Sequence, residues 1–275
     1  MIISVSRRCD IPRFGFDGFL KQLDAGFADV PNPFNHARIR RVSLLPADVD
    51  AFVFWTRDPR SVLEHGVMLE ERGYRFYVMV TLTDYPAVLE PNPPDREAVI
   101  SAMEEFARRF GPARIIWRYD PVLLSTLTDP GYHRENFTAL ARSLNRTVER
   151  VIISLYDGEY GGAKRRIRAL EDAGRLRMLP GTAELPEVKT LLADLAAAAG
   201  ENGMIMQSCA EAADLSDLGI MAGSCIDGAL LSRLWGINGG ARDKNQRPHC
   251  RCVSSADIGS YGPCPAGCVY CYARR

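Results

Sequence analysis

Short runs of β-branched and aromatic residues alternate with helix-length amphipathic segments along most of this 275-residue chain, and that alternation restricts its fold more than any other feature. Strand patterns cover residues 2–6, 51–56, 75–81, 114–118, 150–155 and 204–208, and helical patterns include 98–110, 134–144, 163–173 and 187–199. Apolar runs separated by crossover-length helices indicate a parallel sheet. About six such units predict an α/β protein, a partial or complete parallel β/α barrel rather than a flat doubly wound sheet. Gly73, Gly111 and Gly174 stand where helices should stop, and Pro186 stands where the last one should open.

Beyond about residue 214 the alternation ends. Residues 1–214 are therefore expected to form the barrel-like domain, and 215–275 a cysteine-rich metal-binding segment packed on its mouth. Such a stretch is rich in Gly and Cys and poor in helical periodicity, and at this length it should be functional or ordered by metal.

Six of the eight cysteines lie at or beyond Cys225. The last three, Cys264, Cys268 and Cys271, are spaced C-x3-C-x2-C with Tyr270 before the third. A turn with this spacing can aim three thiolates at three irons of one 4Fe–4S cubane, which leaves the fourth iron without a protein thiolate. An open iron is what S-adenosylmethionine needs to chelate the cluster through its amino and carboxylate groups. Zinc is the competitor, since Cys268 and Cys271 could pair with Cys250 and Cys252 in a four-ligand site. The second set, Cys209, Cys225, Cys250 and Cys252, suits a fully ligated second 4Fe–4S cluster or zinc, with His249 as a substitute ligand. Cys9, alone after the first strand, reads as a pocket or core residue.

The strand ends are polar in a repeated way: Ser6-Arg-Arg-Cys-Asp10, Thr56-Arg-Asp58, Thr81-Leu-Thr-Asp84, Arg118-Tyr-Asp120, Ser154-Leu-Tyr-Asp157 and Ser208-Cys-Ala-Glu211. Parallel β/α folds collect their active sites at these carboxyl ends. Arg7, Arg8, Asp10, Arg118 and Asp120 are the candidates for binding a cofactor carboxylate or substrate. The plain alternative is that β/α loops are polar and start their helices with acidic caps. Capping is the expected role of Asp58 and Asp84.

Lys and Arg together number 34, as do Asp and Glu, so no global field points to nucleic acid or membrane. The basic residues comprise 30 Arg and 4 Lys. No stretch is long and apolar enough to span a bilayer, and the N-terminus lacks the features of a signal peptide. A cytoplasmic location is expected, where thiols stay reduced and clustered cysteines favour metal or catalysis over disulfides. P-loop, dinucleotide and nucleophile-elbow motifs are absent from the sequence.

Ser6-Arg-Arg-x-Asp-Ile-Pro12, Phe54-Trp-Thr56, Trp117-Arg-Tyr-Asp-Pro121, Ser208-Cys-Ala-Glu211, Cys225-Ile-Asp227, Gln246-Arg247, Cys250-x-Cys252, Ser255-x-Asp-Ile-Gly259 and the terminal cysteines with Tyr272 and Ala273 together resemble a bacterial family, the domain of unknown function 1848. The resemblance runs nearly the full length. It implies a C-terminal cysteine cluster similar to the one radical S-adenosylmethionine enzymes carry near their N-termini, and a Thr in most members where this chain has Cys9. In that superfamily the cluster loop follows the first strand, whereas here the cysteines follow the last.

The expectation is an iron–sulfur protein, a radical S-adenosylmethionine-like enzyme that generates a 5′-deoxyadenosyl radical and takes electrons from a donor such as a flavodoxin or ferredoxin. Its rival is a non-radical, zinc- or cluster-stabilised binding protein, with nucleic acid as the partner class that the neutral charge speaks against.

Overall fold

The computed structural model describes residues 1–32, 35, 37–262 and 264–274. In chain order the elements are β1 (Ile2–Val5), α1 (Ile11–Phe14), α2 (Phe16–Ala25), β2 (Phe27–Pro31), β3 (Ile39–Ser43), β4 (Ala51–Thr56), α3 (Arg60–Glu71), β5 (Phe76–Thr81), α4 (Arg96–Phe110), β6 (Ile115–Val122), α5 (Pro130–Ser143), β7 (Arg150–Leu155), α6 (Gly161–Asp172), α7 (Pro186–Glu201), β8 (Ile205–Cys209), β9 (Met221–Gly223), α8 (Gly228–Trp235) and β10 (Ala256–Asp257). Each of the six expected strands forms, to within a few residues. Eight strands make one sheet in the order β10-β1-β4-β5-β6-β7-β8-β9, and every neighbouring pair in it is parallel. β2 and β3 pair antiparallel as a separate two-stranded sheet.

The local signals explain the boundaries. Asp95 caps α4 by accepting from the Ala98 N–H at 2.8 Å, and Asp129 caps α5 through the Tyr132 N–H at 2.8 Å with Pro130 behind it. Gly111 follows α4 at φ +94°, where a side chain would be strained. Asp58 does not hold the N-cap position of α3, which Pro59 takes without a side-chain cap bond; Asp58 accepts from the Arg60 N–H at 3.2 Å and pairs with the Arg60 guanidinium at 2.6 Å. Asp84 is no cap: α4 begins at Arg96, twelve residues on, and Asp84 pairs with the Arg96 guanidinium at 3.0 Å instead.

Strand alternation divides the core in two. Ile3, Val5, Phe52, Phe54, Phe76, Val78, Trp117 and Ile153 face the larger cluster, which α2, α3, α4, α5, α6 and α7 cover. Ile2, Ala51, Val53, Trp55, Tyr77, Met79, Ile116 and Ile152 face the other way and are covered by chain that follows β9, including Ile226, Leu230, Leu231 and Val253. A parallel strand buried on both faces needs such continuous apolar runs. Residues beyond 214 thus supply both edge strands and the cover of one whole face. Among the described residues no helix is long and apolar enough to cross a membrane.

Candidate metal centres

The eight cysteines are free thiols, and seven of them fall into the two sets that the spacing suggests. Cys209 ends β8, Cys225 lies between β9 and α8, and Cys250 and Cys252 precede β10. The Cys225 Sγ donates to the Cys209 Sγ at 3.5 Å. The Cys252 side chain interacts in turn with Cys225 and with Cys250. Cys225, Cys250 and Cys252 are buried and Cys209 is half-buried. Cys252 is the acceptor of the knot: the Cys225 and Cys250 thiols and the Ile226 N–H, at 3.3 Å, draw its pKa below the ordinary thiol value. Cys225 is pushed up by its contacts with Cys209 and Cys252, then by burial, and Cys250 by Cys252 and burial. Among the described residues no group of three or more His, Cys, Asp or Glu stands as a ready-made metal site. The donors are nevertheless soft, adjacent and largely dry, which is the chemistry that thiophilic metals select.

Cys264, Cys268 and Cys271 sit on one loop, each half-buried. Turn bonds from Gly267 N to Cys264 O, 3.1 Å, and from Cys271 N to Cys268 O, 3.4 Å, fold the loop on itself. Gly267 takes φ +70°, and a Cβ there would come within 3.0 Å of Pro91. The loop is held from three sides. Val269 N bonds to Leu89 O at 2.9 Å, and Asn92 Nδ2 donates to Pro265 O at 2.9 Å. Arg166 donates to the carbonyls of Val269, Cys271 and Arg274, and the Tyr272 hydroxyl to the Arg7 carbonyl at 2.8 Å.

Beneath the loop lies a buried polar network that the sequence does not announce. Arg57, the residue after β4, donates to Glu90, to the Tyr270 hydroxyl at 3.1 Å and to Thr83 Oγ1 at 3.2 Å, while Thr83 and Tyr270 donate to Glu90. Glu90 is 1% exposed, and the Arg57 guanidinium is its buried counter-charge. Burial pushes the Cys268 thiol up to about 11, and Arg57 works against that shift. The Arg57 position is visible in Thr56-Arg-Asp58, but nothing local points to Glu90 or Tyr270 as its partners.

The five polar candidates separate into three groups. Asp10 caps α1, accepting from Arg13 N at 3.1 Å, and also takes the Thr56 hydroxyl at 2.7 Å and Arg57 N at 2.9 Å. Its acceptor capacity is spent on structure. Arg7 and Arg8 turn to the C-terminal segment through Asp257, at 3.7 and 3.9 Å, and Arg8 also donates to Gly259 O at 3.1 Å. Asp257 is the hub here and was not among the expected site residues, although the Ser255-x-Asp-Ile-Gly259 motif contains it. It accepts from Ser4 Oγ, Ser6 Oγ, Arg7 N and Gly259 N at 2.6–3.0 Å. Arg118 and Asp120 are paired, Asp120 also accepts from Ser154, and Arg118 donates to Thr81 Oγ1 at 3.1 Å. The Arg118 guanidinium lies 5.0 Å from the Trp55 ring and its charge acts on Cys225, Cys209 and Tyr272. Arg118 Nε and Trp55 Nε1 are buried without a hydrogen-bond partner.

Cys9 is half-buried, its thiol pushed up by burial, with Ser6 and the Ser260 backbone acting against that shift. A Cβ on Gly259 would overlap Ser6 and reach within 2.8 Å of the Cys9 Sγ, so this closely packed corner requires glycine.

No curated protein and no solved structure matches the chain. The family model described as Domain of unknown function (DUF1848) matches residues 2–273. With the match spanning essentially the whole sheet and both cysteine sets, the chain belongs to the DUF1848 family.

Proposed function

We propose that Cys264, Cys268 and Cys271 hold a 4Fe–4S cluster and that the chain is a radical S-adenosylmethionine-like enzyme built on a partial β/α barrel. The observation that carries this reading is the seating of three half-buried thiols on one clamped loop beside the carboxyl ends of the strands. The strand order β1-β4-β5-β6-β7-β8, with the α2–α7 helices on one face, supports the partial barrel, because successive crossovers of one hand roll a parallel sheet.

A bound cluster would supply one electron, received from an external donor, to cleave S-adenosylmethionine to methionine and a 5′-deoxyadenosyl radical able to take a hydrogen atom from the substrate. The chain's own residues do the rest. Arg166, through three loop carbonyls, and the Arg57–Glu90–Tyr270 network hold the thiols in place. Arg118 and Trp55 present two buried, unpartnered N–H donors, Arg118 Nε and Trp55 Nε1, whose desolvation cost a carboxylate would offset. Tyr272 stands between Arg7, Arg118 and Cys271, linking the loop to those donors.

Anaerobic reconstitution with iron and sulfide should give a brown protein with four irons per chain on the loop. Reduction through a flavodoxin or ferredoxin, or by dithionite, with S-adenosylmethionine present should then release 5′-deoxyadenosine. A fully loaded protein that forms none would sink the radical reading, and a colourless one would sink the cluster as well.

A further inference from the structure

We propose that Cys209, Cys225, Cys250 and Cys252 bind one zinc ion as a closed tetrathiolate site that ties the C-terminal segment across the sheet. The proposal is independent of the loop cluster and concerns a different metal.

Spacing between the sulfurs is the discriminating observation. Zinc–thiolate bonds of about 2.3 Å arranged as a tetrahedron put neighbouring sulfurs about 3.8 Å apart. The Cys209 and Cys225 sulfurs stand at 3.5 Å, within a few tenths of an ångström of that edge. The Cys252 side chain interacts with those of Cys225 and Cys250, and its sulfur accepts the Ile226 N–H at 3.3 Å. In a cubane each thiolate sits on a different iron, so an iron–iron edge lies between every pair and the sulfurs stand well farther apart. The Cys209–Cys225 spacing is thus matched to a single ion, with Cys252 next to Cys225 and Cys250 next to Cys252.

The surroundings agree with a structural rather than a catalytic zinc. Four protein donors leave no open position. Three of the thiols are buried among Val53, Tyr77, Ile226 and Val253. The Ile226 N–H already points at the Cys252 sulfur at 3.3 Å, the kind of outer hydrogen bond that orients a metal-bound thiolate. Backbone on either side is pinned: Cys225 O accepts the Tyr77 hydroxyl at 2.6 Å and Cys252 O accepts Asp243 N at 2.9 Å. Zinc with four thiolates carries a net charge of minus two. Arg118 faces Cys209 and Cys225, and Arg7 faces Cys252, so two guanidiniums stand against that charge.

Position explains what the ion would do. Cys209 terminates β8 beside the β9 edge, and Cys252 lies four residues before β10 at the opposite edge. One ion would join the two ends of the sheet through the segment that covers its second face, a segment with only one helix, α8, of its own among the described residues.

The test uses the full chain carrying Cys264→Ser, Cys268→Ser and Cys271→Ser, produced with both zinc and iron supplied. One zinc per chain, no iron, and a zinc-edge X-ray absorption spectrum showing four sulfurs at about 2.3 Å are expected. Replacement by cobalt(II) should give the intense visible bands of a tetrahedral thiolate complex. Iron and sulfide retained by this variant, or zinc held through nitrogen and oxygen, overturns the proposal. If the triple variant does not fold, the same spectrum from the unsubstituted chain decides: four sulfurs around zinc support the site, while absence of zinc after anaerobic purification and re-addition removes it. Failure of the loop cluster leaves each of these readings intact, because zinc and iron are counted separately.

Discussion

The two cysteine sets obey opposite designs. One is assembled from remote parts of the chain, with three of its four thiols buried and in a row of mutual contacts. The other comes from eight consecutive residues, leaves all three thiols half-buried, and depends for its shape on backbone clamps and a charged network underneath. A closed donor set returns its metal-binding energy as folding energy. An open one leaves coordination free for a ligand and must have its scaffold stabilised by other means. The difference predicts that damage to the first set is structural and damage to the second chemical.

Cys225→Ala is the strongest way to break that contrast. It should release the zinc and cost on the order of 5 kcal/mol or more of stability, read from denaturant midpoints. Cys264→Ala, on the half-buried loop, should cost less than about 1 kcal/mol while abolishing iron loading. Equal losses from both would show that the two sets are not of different kinds.

Arg57→Ala probes the loop from below. Removing the guanidinium strands the Glu90 carboxylate in the core, and breaking a buried pair this way typically costs about 3–5 kcal/mol. Zinc should stay bound in the folded fraction and iron should fall. Arg57→Ala with Glu90→Gln should recover much of the stability, since no buried charge is left uncompensated.

Acidification tests both sets at once, and His133 allows unfolding to be separated from thiolate protonation. The His133 Nδ1 accepts from the Tyr119 hydroxyl at 2.9 Å and its Nε2–H donates to the Leu123 carbonyl at 3.1 Å. Burial lowers its pKa from 6.5 to about 4. The unfolded chain therefore binds this proton first as the pH falls. The His133 contribution should be complete above pH 6.5, decline by about 3 kcal/mol toward pH 4 and be level below that. His133→Gln should flatten this part of the profile in thermal melts, so that the metal loss remaining between pH 6.5 and 4 reports the thiolates alone. A profile as steep as before would assign the decline to other groups.

Cys9→Thr carries the smallest expected effect. The Cys9 thiol is engaged with Ser6 and Ser260, so iron per chain and 5′-deoxyadenosine yield should be unchanged. A marked fall in either would make Cys9 a fourth cluster ligand and close the corner that an S-adenosylmethionine reading needs open.

Much of the sheet was legible because parallel strands buried on both faces leave unbroken apolar runs, as in Ala51–Thr56 and Arg150–Leu155. The edge strands β9 and β10 were not, since three and two residues carry no usable period. Helix α8 escaped for a related reason: its eight residues follow a good cap, Asp227, yet stand in glycine-rich surroundings that read as loop. At the candidate centres, the spacing of Cys264, Cys268 and Cys271 could be read directly because their geometry is local. Asp10 could not be assigned, because a cap and a ligand-binding carboxylate look alike in a strand-end motif, and only its three donors show which it is.

The order of residues alone determined that the chain makes a parallel α/β sheet and carries a three-thiol loop, because both follow from periods and spacings a few residues long. Tertiary structure decided that Cys225 meets Cys209 and lies beside Cys252, that Arg57 neutralises Glu90 beneath the loop, and that Asp257 gathers Arg7 and Arg8. Those partners are separated by tens to hundreds of residues. Only packing of the segment after β9 against the sheet sets which charges and sulfurs must share a space that water has left.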